Sequence, residues 1–124
     1  MGDISQHFSR YEFQCKCGEC GRDAVDAELL KILEFVRQYF GQPIRITSAN
    51  RCEKHNKAIM GSQKSQHLLS KAVDLKVKMV EPILVYNLLN ETFPTQYGIG
   101  YYDETKGNFT HFDVRQKKAR WGLK

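Results

Sequence analysis

One ten-residue stretch concentrates side chains able to do chemistry: Ser65-Gln66-His67-Leu68-Leu69-Ser70-Lys71-Ala72-Val73-Asp74. His67 and Asp74 stand seven positions apart, across small residues that lead into an alternating segment from Ala72 to Val77. Seven is odd, so one strand would send the two side chains to opposite faces, whereas one helix would bring them to the same face. The alternation favours a strand for Asp74 and predicts a loop that folds His67 back over it. His111 lies in a second alternating stretch, Phe109 to Arg115. Two imidazoles and one carboxylate are the donor set of a catalytic zinc centre, which keeps its fourth position open for water. In near-tetrahedral geometry this set suits zinc better than other metals.

In this order the blocks resemble a family of zinc peptidases, the D-alanyl-D-alanine carboxypeptidases and L-alanyl-D-glutamate endopeptidases of bacteria and their phages. The family pattern Ser-x-His-x-x-Gly-x-Ala-x-Asp stands here as Ser65, His67, Ser70, Ala72 and Asp74, with Ser70 in place of the glycine. The segment from Ile46 to Asn56 resembles the family's Ser-Gly-Tyr-Arg…His-Asn block, and the likeness runs from about Ile4 to Trp121. The resemblance implies a hedgehog/DD-peptidase-like fold, zinc on His67, Asp74 and His111, and peptidoglycan stem peptides as substrate. Arg51 matches the family arginine that stabilises the oxyanion or holds the substrate carboxylate; the competing role is a salt bridge beneath the loop. Some members carry a Glu or Asp three residues before the last histidine, where this chain has Asn108, which cannot act as a base. Asp113, on the same strand face as His111, is the first candidate for the base or else orients a ligand or Arg51. Asp103 and Glu104 are the reserves. A second class of function is a non-catalytic zinc-containing wall-binding or structural module of the same fold. Asn108 favours that class; the complete ligand set with Arg51 favours the enzyme.

Three of the four cysteines fall within Cys15-Lys16-Cys17-Gly18-Glu19-Cys20. Cys17-x-x-Cys20 is a spacing at which two thiolates converge on one metal, and Cys15 with the distant Cys52 could complete a structural zinc site. A disulfide or buried thiols are the alternatives.

These groups need elements to position them. Ser9 and Glu12 fit a capping box before a short helical turn. Asp26 caps a helix from Ala27 to Phe40 whose apolar stripe is Leu29, Leu30, Leu33, Val36, Tyr39 and Phe40, ended by Gly41. A strand from Pro43 to Thr47 delivers Ser48, Asn50 and Arg51, and a short helix is predicted from Glu53 to Met60. Pro82 opens a further helix, to about Phe93, with Ile83, Leu84, Leu88 and Leu89 as its buried face. Two strands, 97–102 and 109–115, form a hairpin around Gly107. Pairing Tyr102 with Phe109 sets Gly100 opposite His111 and leaves room over the metal. The order predicts one α+β domain over residues 1–124, with helices packed on a small, largely antiparallel sheet.

Hydrophobic residues make up 41% of the chain and charged ones 27%, an ordinary globular balance rather than a disordered one. No apolar run approaches the ~20 residues of a membrane span, and the polar start Met1-Gly2-Asp3-Ile4 lacks a basic-then-apolar leader. The expectation is a phage or prophage type of protein, made in the cytoplasm and reaching the wall through lysis or on the virion. Nineteen basic against fourteen acidic residues give +5, yet no RNA-reading or recognition-helix pattern accompanies the charge, so no nucleic-acid partner is expected. The basic run from Arg115 to Arg120 reads as a solvated tail. No membrane partner is expected, and the protein is expected to be a monomer.

Overall fold

The computed structural model describes residues 2–17, 20, 23–50 and 71–122. Helix α1 (Ala27–Phe40) begins where Asp26 accepts the backbone N–H groups of Glu28 and Leu29 at 2.9 and 3.1 Å. Those donors have no partner within the helix, so the carboxylate fixes the start. Gly41 ends it in the left-handed conformation, φ 64°. Strand β1 (Ile44–Ser48) follows, then β2 (Ala72–Val77), helix α2 (Pro82–Thr92), β3 (Gly98–Tyr102), β4 (Phe109–Asp113) and β5 (Ala119–Trp121). The strands lie in the order β1-β2-β4-β3-β5. All pairings are antiparallel except β3 with β5. The expected α+β architecture is present; the helix predicted from Glu53 to Met60 lies outside the described residues.

The strand period of two divides the sheet into a core face and a polar face. Val73, Leu75, Ile99 and Phe112 are almost completely buried and share one cluster with Leu29, Ile32, Leu33 and Val36 of α1 and Val85 and Leu89 of α2. Residues paired directly across strands share a face. The register therefore aligns Ser48, Asp74, His111, Gly100 and Trp121 as one rank on the other face, with Ala72, Asp113, Gly98 and Ala119 as the next.

Three expectations need correction. In α1, Ile32 enters the core while Tyr39 is 61% exposed. In α2 the buried face is Val85, Tyr86 and Leu89, and Leu84 is half exposed. The roll of α2 is set by polar and aromatic contacts: Thr110 Oγ1 donates to the Pro82 carbonyl at 3.0 Å, and Tyr86 meets Tyr101 edge-on at 6.5 Å. Counting apolar residues alone misses such contacts. Thirdly, the basic run is not a tail. Its end forms β5 beside β3, and only Gln116, Lys117 and Lys118 are exposed.

Before α1 the described residues include a 3-10 turn, Arg10–Phe13, where Glu12 accepts the Ser9 N–H at 2.7 Å. Phe8 and Phe13 bury themselves in the core. Glu34 of α1 collects Ser5 Oγ at 2.5 Å, the His7 N–H at 2.7 Å and the His7 ring at 2.6 Å. Burial would raise its pKa, but these donors outweigh burial and hold the carboxyl below its usual range.

Arg120 does the corresponding work at the other end. Its guanidinium donates to the carbonyls of Phe93, Gln96, Tyr97 and Ala119 and to Asn90 Oδ1, at 2.6–3.1 Å. The carbonyls of Phe93, Gln96 and Tyr97 lie between α2 and β3, and that of Tyr97 also accepts the Ala119 N–H at 3.0 Å. Arg120→Ala is expected to lower stability by about 2–3 kcal/mol, the scale of losing charge-assisted hydrogen bonds. Arg120→Lys should recover only part, because an ammonium cannot span several carbonyls as the planar fork does. Urea unfolding measures both; a loss under ~0.5 kcal/mol for Arg120→Ala would mean that water replaces the guanidinium freely.

Candidate metal centre on the polar face of the sheet

His111 sits mid-sheet, between β2 and β3, with 7% of its surface exposed. Its Nδ1 faces Asp74 Oδ1 at 2.9 Å and its Nε2 faces Asp113 Oδ2 at 2.7 Å. Asp74 is its direct cross-strand partner, and Asp113 lies two residues on along the same face. An ionised carboxylate only accepts, so a ring nitrogen that bonds to one does so through its N–H. Burial presses the imidazole pKa down; the hydrogen bonds and charges of Asp113 and Asp74 outweigh it, and the net direction is up.

Asp113 is fully buried and shared between the His111 ring and the Arg115 guanidinium. Arg115 Nε reaches Oδ1 and Arg115 Nη2 reaches Oδ2, both at 2.8 Å, while the Arg115 N–H adds a bond at 3.2 Å. Burial alone would raise this carboxyl's pKa; the His111 and Arg115 bonds overcome it and hold the group far below the carboxylate range.

Two glycines make room for this row. A Cβ at Gly98 would collide with the Asp113 carboxylate and stand 2.7 Å from Arg115 Nε. A Cβ at Gly100 would collide with the Trp121 indole. Pairing of Gly100 with His111, and of Tyr102 with Phe109, agrees with the expected register. The space over Gly100, expected to lie open for substrate, is instead filled by Trp121. That ring lies 5.0 Å from His111 and 5.4 Å beneath the Arg115 guanidinium, and its Nε1 donates to the Tyr102 hydroxyl at 2.9 Å.

Asp103 and Glu104 are on the β3–β4 turn. Asp103 accepts from Thr105 N and Oγ1 at 3.0 and 2.6 Å, bonds that lower its pKa. Asn108 has φ 55°, a left-handed turn conformation that asparagine tolerates well, and its N–H bonds to the Asp103 carbonyl at 2.8 Å. Arg51, His67 and Cys52 lie outside the described residues. Cys15, Cys17 and Cys20 do come together, their sulfurs within 4.8 Å of one another. The sequence gives Arg115, Trp121 and Gly98 no role at this site. A signal for Arg115 was present, since a cation two residues beyond Asp113 on one strand falls on the same face.

Asp74 and His111 fit a metal. With Asp113 on Nε2, Nδ1 is the nitrogen left for a ligand bond, the carboxylate–histidine–metal arrangement. A family model described as Peptidase M15 matches residues 6–113 of the 124, and the chain belongs to that family. M15 peptidases are zinc-dependent, so membership makes this a metallopeptidase fold with a peptide substrate. A comparison with curated proteins found no match. Among the described residues no helix is long and apolar enough to cross a membrane.

Trp121 is the chain's single tryptophan, so its fluorescence reports this site alone. Gly100→Ala is expected to push the indole off the His111 rank and shift its emission to longer wavelength as water reaches it. An unchanged spectrum in a folded Gly100→Ala protein would mean that the indole does not depend on the glycine.

Proposed function

We propose that this chain is a zinc peptidase that hydrolyses stem-peptide bonds of peptidoglycan, with His67, Asp74 and His111 as the metal ligands. The observation that carries the reading is the buried Asp74–His111 pair, one ring nitrogen turned to the ligand carboxylate and the other fixed by Asp113. When bound there, zinc supplies a Lewis acid that polarises the scissile carbonyl and acidifies water toward a pKa of ~7.

The chain's own residues do the rest. Asp113, tied to His111 and Arg115, holds the proton on Nε2 and so keeps Nδ1 as the ligand atom. A carboxylate with both oxygens engaged and its pKa so depressed makes a poor proton acceptor. The geometry thus supports orientation over the alternative role as base and leaves Asp103 and Glu104 as the candidates for proton transfer. Trp121 walls the rank and excludes water from one side of His111. Arg51 serves as the cation for the developing oxyanion or the substrate carboxylate. The bond favoured is L-alanyl-D-glutamate, cut in a lytic role of phage type after delivery through lysis or on the virion; loss of terminal D-alanine is the carboxypeptidase outcome.

Digestion of purified muropeptides followed by mass spectrometry tests this. Zinc-loaded protein is expected to cut, chelation to abolish the cut, and His111→Ala to lose both activity and one zinc. Failure to cut any wall fragment with zinc in place would give the assignment to a non-catalytic zinc module.

The same assay separates the roles of Asp113. As an orienting residue, Asp113→Asn should weaken zinc affinity about 10–100-fold, with turnover partly restored by excess zinc. Undiminished zinc affinity with no turnover would make Asp113 the base. Arg51→Ala should lose most activity and keep its zinc, while Arg51→Lys recovers only a part.

A further inference from the structure

We propose that Cys15, Cys17 and Cys20 form a second, structural zinc site that clamps the N-terminal segment to the end of β1. This site is independent of the peptidase centre and does not rest on that reading.

The sulfur geometry is that of a metal knuckle. All three sulfurs lie within 4.8 Å of one another, and Cys17 and Cys20 are 3.4 Å apart. At a Zn–S length of about 2.3 Å, thiolates of a tetrahedral site stand about 3.8 Å apart. A disulfide would need about 2.05 Å. The Cys20 N–H donates to Cys17 Sγ at 3.3 Å, a bond that favours the anionic sulfur a metal requires. Three soft thiolates select zinc over magnesium or calcium. A tetrahedral zinc takes one donor more, a further side chain or water.

The fold also gives the metal a task. Among the described residues between Gln14 and Asp26 none is in a helix or strand, and Cys15 alone is buried. A loop without its own core is the kind of segment that a metal staples. This loop is bracketed by two anchors to one residue. Asn50, 1% exposed, donates its N–H and Nδ2 to the Phe13 carbonyl at 3.3 and 2.7 Å, and its Nδ2 also to the Ala24 carbonyl. Closing the loop around zinc therefore holds Phe13 and Ala24 in place on either side of Asn50. Arg51 is the next residue in the chain.

The test uses the full chain carrying His111→Ala, so that the peptidase centre does not contribute, loaded with cobalt in place of zinc. The expected result is about one cobalt per chain with the near-ultraviolet sulfur-to-cobalt charge-transfer absorption of a tetrahedral thiolate site. Adding Cys20→Ser, at an exposed position where folding is least affected, should abolish that absorption and release the metal. Cys17→Ser should do the same. An absence of thiolate absorption in the His111→Ala protein, or its persistence undiminished after Cys20→Ser, overturns the proposal. So does a thiol titration of the metal-free, unreduced protein that finds Cys17 and Cys20 joined to each other.

Discussion

An imidazole held between two buried carboxylates is the constraint around which the polar face is built. Removing one partner from such a pair strands a charge, at a cost of about 3–5 kcal/mol, so each member must find its complement. Asp74 and Asp113 take the two sides of His111, and Arg115 takes the rest of Asp113. That balance dictates the neighbours: β3 must be thin at Gly98 for the Asp113–Arg115 pair and at Gly100 for the indole that covers them. A sheet face ordinarily left to water is thereby closed and charged at once. A metal on Nδ1 would replace one proton without disturbing the Asp113 side, so the frame stands whether or not that exchange occurs.

Much of this was legible because it rests on short-range rules. The cap at Asp26, the stop at Gly41 and the alternation of β2 and β4 gave α1 and the central strands their limits. The loop between β3 and β4 implied a hairpin, and the hairpin implied Gly100 opposite His111. Asp74 and His111 could be named from the family pattern, and the even spacing of Asp113 placed it on their face. What escaped has a common cause, since it depends on contacts distant in sequence. Arg120 is charged, so it reads as solvent-facing, yet it serves carbonyls more than twenty residues earlier. Trp121 belongs to a three-residue strand too short to show alternation. The roll of α2 follows from Thr110 and Tyr101, which its own sequence does not contain.

The two halves of the molecule are stabilised differently. From α1 onward a shared apolar cluster joins both helices to the sheet. The N-terminal segment joins it through Phe8 and Phe13, with Ile4 and Val25 packed alongside, and adds polar attachments, Glu34 to Ser5 and His7, Asn50 to Phe13 and Ala24. Polar attachments of this kind are directional, so they set position more sharply than apolar contact does.

The short strand β5 has a further consequence for how the molecule behaves in a crowded solution. Among the described strands it is the outermost on its side, and an edge strand offers backbone groups to any extended chain that meets it. This edge is three residues long, its strand is preceded by the exposed Gln116, Lys117 and Lys118, and Arg120 is already committed to carbonyls of its own chain. A second copy approaching there meets like charge and almost no template. The basic run therefore acts as a guard against sheet-to-sheet aggregation, which keeps the strand carrying Trp121 available for its own fold.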